Sequence, residues 1–198
     1  MGSRGTLEET KGQRTRARLL RAAEDVFGRR GFRDASISAI TREAGVAQGS
    51  FYLYFSSKQA AFAELMHARA AELRAIATNG GDGQPPGIAR ERACLVAVFN
   101  WIKEHRWSYR VSRELEFVDP ELCRTWYHGL LEAYSQRILL LMERGCLPKG
   151  DPVHIALMIV GAVELAALRW LVWSAESADG ELQLAAYVEV TLRALGLT

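Results

Sequence analysis

Cysteine is scarce in this 198-residue chain: Cys94, Cys123 and Cys146 are odd in number, far apart and without any C-x-x-C spacing. They offer no disulfide framework and no cysteine-rich metal site, and they fit a reducing compartment. The four histidines show no H-x-x-x-H pair. No glycine-rich loop is set up to cradle a phosphate, and no serine or cysteine stands in a nucleophile motif, so neither an enzyme nor a cofactor or metal is expected. Only five prolines occur, mostly outside the periodic stretches. No run alternates apolar and polar residues as a half-buried strand does. Residues 1–18 lack an apolar core, so no leader peptide is expected, and the opening Met1-Gly2-Ser3-Arg4-Gly5-Thr6 fits an acylation pattern only formally.

What the chain does have is apolar residues at helical spacing, 49% hydrophobic against 24% charged overall, the signature of a folded all-α protein. The net charge of +2 conceals an asymmetry. Residues 1–58 hold 11 Lys/Arg against 6 Asp/Glu, giving +5, whereas residues 59–198 hold 14 against 17, giving −3. A basic block on a mildly acidic body points to a polyanion partner, although charge alone leaves nucleic acid and membrane surface both open.

The pattern predicts about nine helices. The first, near 11–30, has Leu19, Ala22, Ala23, Val26 and Phe27 on one stripe and stops at Gly31; Ser36 caps a second that stops at Gly45. A short aromatic helix from Gln48 to Tyr54 follows, and Ser57 opens a long fourth helix. Asn79 to Gly87 is a loop, and further helices are expected near 88–105, 107–117, 120–144, 152–175 and 180–195, with Pro120 and Pro152 in first turns. The apolar run from Val153 to Trp173 is long enough to raise a membrane span, but His154, Glu164 and Arg169 interrupt it, each costly near a bilayer centre. No membrane association is expected; such a helix lies in a core or against a partner subunit.

Helix stop, tight turn, short helix and new helix start all fall within Ala44 to Lys58. A short, turn-bounded helix on a larger body is how a helix-turn-helix presents its recognition element to DNA. Phe51 and Phe55, four apart, can share a buried face, whereas Tyr52 and Tyr54, two apart, cannot both do so.

These residues carry a resemblance. Ala23, Phe27, Gly31 and Phe32, then Ser36, Ile37 and Ile40, then Ala44-Gly45-Val46, Gly49, Phe51-Tyr52-Leu53-Tyr54-Phe55, Lys58 and Phe62 are together similar to the DNA-binding domain of the tetracycline-repressor (TetR) family of bacterial transcription regulators. The match covers roughly residues 14–62; the rest fits in length and helicity. Residues 1–10 read as a flexible basic arm, and the resemblance implies a three-helix helix-turn-helix domain at 11–58 and, joined by the long fourth helix, a ligand-binding and dimerisation domain at 59–198. It assigns Tyr52, Tyr54 and Lys58 to the DNA backbone, with Ser36 and Arg42 as further candidates. Base reading then falls to Gln48 and Ser50, with Ala47 beside them and Gly49 permitting close approach. Two departures stand out: Leu53 where many relatives place a polar residue, and Thr41 where they usually have alanine.

The resemblance further implies a homodimer, cytoplasmic and associated with the nucleoid when bound to a double-stranded, palindromic operator. The 153–173 and 180–195 helices resemble the family's two-helix interface. All five tryptophans lie beyond the DNA-reading part. The family's pocket surrounds a central helix, here 120–144, and the candidate contacts to a small apolar or amphipathic effector are Trp101, Tyr109, Phe117, Trp126, Tyr127, Tyr134, Met158 and Glu164. Glu164 must be paired, exposed or used: it can meet Arg169 of a second copy or a cationic ligand, whereas an anionic ligand would need Arg113, Arg137 or His154. The function implied is a repressor released from its operator by the effector. A constitutive DNA-binding regulator without an effector is the alternative. A helical-bundle metalloenzyme is a remote one, since Glu64-Leu65-Met66-His67 is a single Glu-x-x-His and such sites need two.

Overall fold

In the computed structural model, residues 10–85, 87–173 and 179–196 are described. Among them the elements are α1 (Lys11–Asp34), α2 (Ile37–Glu43), a 3-10 helix (Gln48–Leu53), α3 (Lys58–Asn79), α4 (Ile88–Glu104), α5 (Arg106–Ser112), α6 (Leu115–Val118), α7 (Pro120–Glu143), α8 (Pro152–Ala167) continued by one π turn (Leu168–Val172), and α9 (Asp179–Ala194). No strand occurs among the described residues. The all-α expectation holds. The chain divides into two compact units, Met1–Met66 and His67–Thr198, so that α3 begins in one and ends in the other. The basic arm expected at 1–10 lies outside the described residues except for Thr10, which caps α1 through a reciprocal pair of bonds with Gln13.

Local chemistry accounts for the boundaries in the first unit. Gly31 sits at φ 77, ψ 166, a conformation open essentially to glycine alone, and breaks α1 one turn before its end. The stripe anticipated on α1 is the buried one: Leu19, Ala23 and Phe27 are fully covered. Phe27 meets Phe62 of α3 edge-on at 5.4 Å, and Phe32 closes on Phe62 at 4.8 Å, a favourable arrangement for aromatic rings.

In the second unit, Pro120 and Pro152 open α7 and α8 at the first turn, beneath Asp119 and Asp151, whose carboxylates accept from Leu122 and Val153 backbone N–H groups at 3.0 and 2.8 Å. α7 buries one stripe, Leu122, Trp126, Leu130, Tyr134, Ile138 and Leu141, while Leu139 and Leu140 face outward. It packs on α6 and α8, and α9 packs on α4 and α8. The helix expected over 107–117 is broken in two. The Ser112 hydroxyl donates to the Tyr109 carbonyl at 2.7 Å in the last turn of α5, and Arg113 follows as its C-cap.

α8 does not bury all of its apolar surface. Ala156, Ile159, Val160, Val163, Ala166 and Ala167 are covered, whereas Leu157, Met158, Gly161, Ala162 and Leu165 are exposed, as is Val190 of α9. Pro152–Trp170 is long and apolar enough to cross a membrane, with a mean hydropathy of 1.6. The same composition serves a helix shared between subunits.

Candidate nucleic-acid interface and interior cavity

The turn between α2 and the 3-10 helix is built from four features, each visible in the local bonding. The Ser36 hydroxyl accepts from the Ala39 N–H at 3.2 Å, fixing the start of α2. At its end Gly45 takes φ 63. The Val46 N–H returns to the Thr41 carbonyl at 3.0 Å and the Gly45 N–H to the Arg42 carbonyl at 3.1 Å, the paired bonds of a Schellman stop. Thr41 is buried and donates its hydroxyl to the Ile37 carbonyl at 3.0 Å, so its polar group is satisfied within α2. Arg18 of α1 clasps the Ala44 carbonyl from outside.

The segment after the turn is a six-residue 3-10 helix rather than an α-helical turn. Its bonds span three residues, Ser50 N–H to Ala47 carbonyl at 2.9 Å and Tyr54 N–H to Phe51 carbonyl at 3.0 Å, as suits a helix too short to gain from wider bonding. Phe51 and Phe55 are buried with rings 5.4 Å apart, and they anchor the segment. Outward lie Ala47, Gln48 and Gly49, all exposed, with Ser50 half-buried. No atom lies within 4 Å of where a Cβ on Gly49 would stand. Tyr52 is 58% and Leu53 79% exposed, the latter a large apolar side chain presented to solvent with nothing among the described residues to cover it. Tyr54 is half-buried and its hydroxyl lies beside Gly12 of α1. Ser36 and Arg42 are both exposed.

Lys58 stands apart from these. Its ammonium donates to the carbonyls of Phe32 and Ala35 at 2.7 Å each and of Arg33 at 3.3 Å, and sits 4.4 Å from the centre of the Phe32 ring. Those carbonyls follow the Gly31 break, where the helix can no longer satisfy them. Lys58 therefore ties α3 to the end of α1. Lys58→Met is expected to cost the first unit about 1.5–3 kcal/mol, the range for hydrogen bonds made by a charged group. Thermal unfolding measures that loss. Because the ammonium is committed to backbone carbonyls, the salt slope of DNA binding should change by less than the roughly one unit that each lost phosphate contact brings.

In the second unit an apolar cavity of about 20 Å³, room for about one water, is walled by Leu73 and Ala77 of α3, Ile102 of α4, Leu130 of α7 and Val163 of α8. Tyr109, Tyr134 and Glu164 are its polar lining residues. The Tyr109 hydroxyl donates to the Glu164 carbonyl at 3.0 Å, while Oε2 of the Glu164 side chain accepts from Arg113 at 2.9 Å and from the Tyr127 hydroxyl at 3.2 Å. Burial pushes the Glu164 carboxyl above its usual range, and the Arg113 guanidinium works against that shift. The phenols of Tyr109, Tyr127 and Tyr134 are raised, chiefly by burial.

Of the eight side chains considered as effector contacts, Tyr109, Tyr134 and Glu164 meet at this cavity, and Tyr127 touches it through Glu164. Trp101 and Trp126 are buried away from it; Trp101 reaches Glu72 at 3.4 Å and stacks on His105. Phe117 and Met158 face solvent, 86% and 64% exposed, so the aromatic and thioether character that nominated them is spent outside the cavity. Within the chain, Glu164 finds Arg113 as its ion-pair partner. Arg137 pairs with Glu91, and His154 is exposed beside Asp151. Glu64 takes an ion pair from Arg16.

Comparison with known proteins agrees with this geometry. The family model for bacterial regulatory proteins of the tetR family matches residues 19–65, from the middle of α1 into α3. The HTH-type transcriptional regulator YdgC of Bacillus subtilis is 52% identical over 117 residues, 57% of this chain and 58% of that protein's length, so the chain spans little more than half of that relative. The HTH-type transcriptional activator FasR of Mycolicibacterium smegmatis is 29% identical over 179 residues, 86% of this chain and 76% of that one. Among solved structures, the transcriptional regulator FadR from Bacillus subtilis in complex with stearoyl-CoA superposes with a TM-score of 0.76 at 18% identity, covering 90% of this chain and 96% of that one, which speaks to the fold. The capped turn, the presented 3-10 helix and the matching segment that contains them lead to one conclusion: residues 19–65 form a helix-turn-helix domain of the tetR family of bacterial regulatory proteins.

Proposed function

We propose that this regulator is a repressor, holding a palindromic operator as a homodimer and leaving it when a small apolar or amphipathic effector enters the α3–α8 cavity. The observation that carries the DNA part is the 3-10 helix: Phe51 and Phe55 fix it from within while Gln48, Gly49 and Leu53 stay uncovered. Gln48 and Ser50 read bases, with Ala47 and Gly49 close to the groove floor. Leu53 touches a thymine methyl, and Ser36, Arg42, Tyr52 and Tyr54 hold phosphates. The exposed apolar side chains of α8 and α9, Leu157, Leu165 and Val190, support pairing with a second copy, which sets two reading heads about 34–36 Å apart or a multiple of that. Such a protein works in the cytoplasm, on the nucleoid.

The effector reading is supported by an apolar cavity with one polar end, and by a family fold that in FadR from Bacillus subtilis holds stearoyl-CoA. α3 supplies Leu73 and Ala77 to the cavity and begins at Lys58, so one helix is shared by the unit that holds the cavity and the unit that presents the 3-10 helix. A second reading has its own observation. With a volume of about 20 Å³ the cavity must widen to admit a ligand, and a constitutive regulator needs no such opening. Titrating apolar and amphipathic compounds while following tryptophan emission and operator affinity separates the two. The effector reading expects a compound that binds and weakens operator binding roughly 5- to 150-fold. Tight binding with operator affinity unchanged supports the constitutive regulator.

A further inference from the structure

Of the side chains that line the cavity, Glu164 alone is charged; the rest are aliphatic or phenolic. Its ion-pair partner does not line the cavity. Arg113 approaches from the surface, with 45% of its side chain exposed against 20% for Glu164, and it occupies the corner between α5 and α6 rather than a position inside a helix. The Tyr109 hydroxyl is already spent on the Glu164 backbone carbonyl. Glu164 thus forms the polar end of the cavity, and its carboxylate is held by a guanidinium that stands outside the lining.

We propose that the effector is an apolar body carrying a cationic nitrogen, and that this nitrogen replaces Arg113 as the counter-ion of Glu164. The inference rests on the effector reading given above and adds the chemistry of the head group. An anion in this position would face Glu164 across apolar walls, where little water screens the repulsion. A neutral head would leave Arg113 in place. A cation keeps the carboxylate paired throughout, because one counter-ion leaves as the other arrives. The Arg113 side of the pair given up is 45% exposed, where solvent screens the attraction. The rings of Tyr109 and Tyr134 on the cavity wall offer the cation a second favourable contact. Arg113, once displaced, is released at the α5–α6 corner. Binding is thereby coupled to a backbone joint that is not held by regular helix bonding.

The test uses the full chain and three probes with one alkyl body: octylammonium, octanol and octanoate, with binding read by tryptophan emission in the absence of DNA. Octylammonium is expected to bind most tightly. Glu164→Gln should weaken it by about 10- to 100-fold, the range for a hydrogen bond to a charged group, and leave octanol within about two-fold. Arg113→Met should tighten octylammonium, since the competing cation is gone, and this variant keeps the test open even if Glu164→Gln does not fold. Octanol or octanoate binding as tightly as octylammonium, or a weakening of octylammonium by Arg113→Met, overturns the cationic head group while leaving an effector cavity in place. Failure of all three probes to bind overturns the effector cavity and this assignment with it.

Discussion

Replacing Arg137 by methionine is expected to destabilise the C-terminal unit by about 3–5 kcal/mol, the cost of leaving one member of a buried ion pair without the other. Its guanidinium Nε and Nη2 donate to Oε1 of Glu91 at 3.0 and 2.9 Å, and the two side chains are only 11% and 12% exposed. Nη1 donates to the carbonyls of Ala77 at 2.6 Å and Thr78 at 3.3 Å, both in the last turn of α3, where a helix has no bonds of its own to offer. Methionine fills similar space but leaves the Glu91 carboxylate and two helix-end carbonyls without their donor. The double variant Glu91→Met with Arg137→Met should recover most of the loss, because the uncompensated charge disappears with its partner. Urea unfolding of the single and double variants measures both quantities. A loss below about 1 kcal/mol in the single variant would mean that the pair is no more than a surface contact.

Gln48→Ala is expected to leave the protein folded and to lower specific DNA binding by about 1–3 kcal/mol per half-site, the discrimination carried by a good bidentate base contact. Two heads on a palindrome make that roughly 2–6 kcal/mol for the dimer if the sites act independently. The side chain is exposed and its segment is held by Phe51 and Phe55, so nothing in the core depends on it. Binding to unrelated duplex should be unchanged, since that term belongs to the phosphates. Leu53→Ala should have a smaller effect, confined to positions where a thymine methyl is read. Anisotropy titrations with matched and scrambled duplexes measure these differences directly.

Much of the first unit was legible because its boundaries are set by local chemistry. Gly31 interrupts α1 where its stop was expected, Gly45 ends α2, Ser36 caps α2, and Ser57 opens α3 by accepting from Ala60 at 3.0 Å. Pro120 and Pro152 mark helix starts for the same kind of reason. What escaped was decided by groups distant in sequence. Lys58 looks like any basic residue at a helix start until the carbonyls freed by the break at Gly31 come within its reach. Arg113 becomes the partner of Glu164 at the corner that ends α5, and no proline or glycine announced that corner.

Apolar character also failed to separate cavity from surface. Phe117 and Tyr109 belong to the same aromatic-rich stretch, yet one is exposed and the other buried, because α6 is a four-residue helix that covers only Leu115 fully. Met158 and Val163 share α8 in the same way, on opposite sides of it. An apolar helix reads alike whether its outer face meets a core, an effector or a second copy. Only the packing of α7 and α9 against it tells which side of α8 is covered within the chain.

The most direct test of the central claim is selection of binding sites by the full chain from a random-sequence duplex library. The account predicts an inverted repeat with half-sites about 34–36 Å apart or a multiple of that, and loss of its preference in the Gln48→Ala variant. Recovery of no enriched sequence, or of one that the Gln48→Ala variant binds equally well, would contradict it.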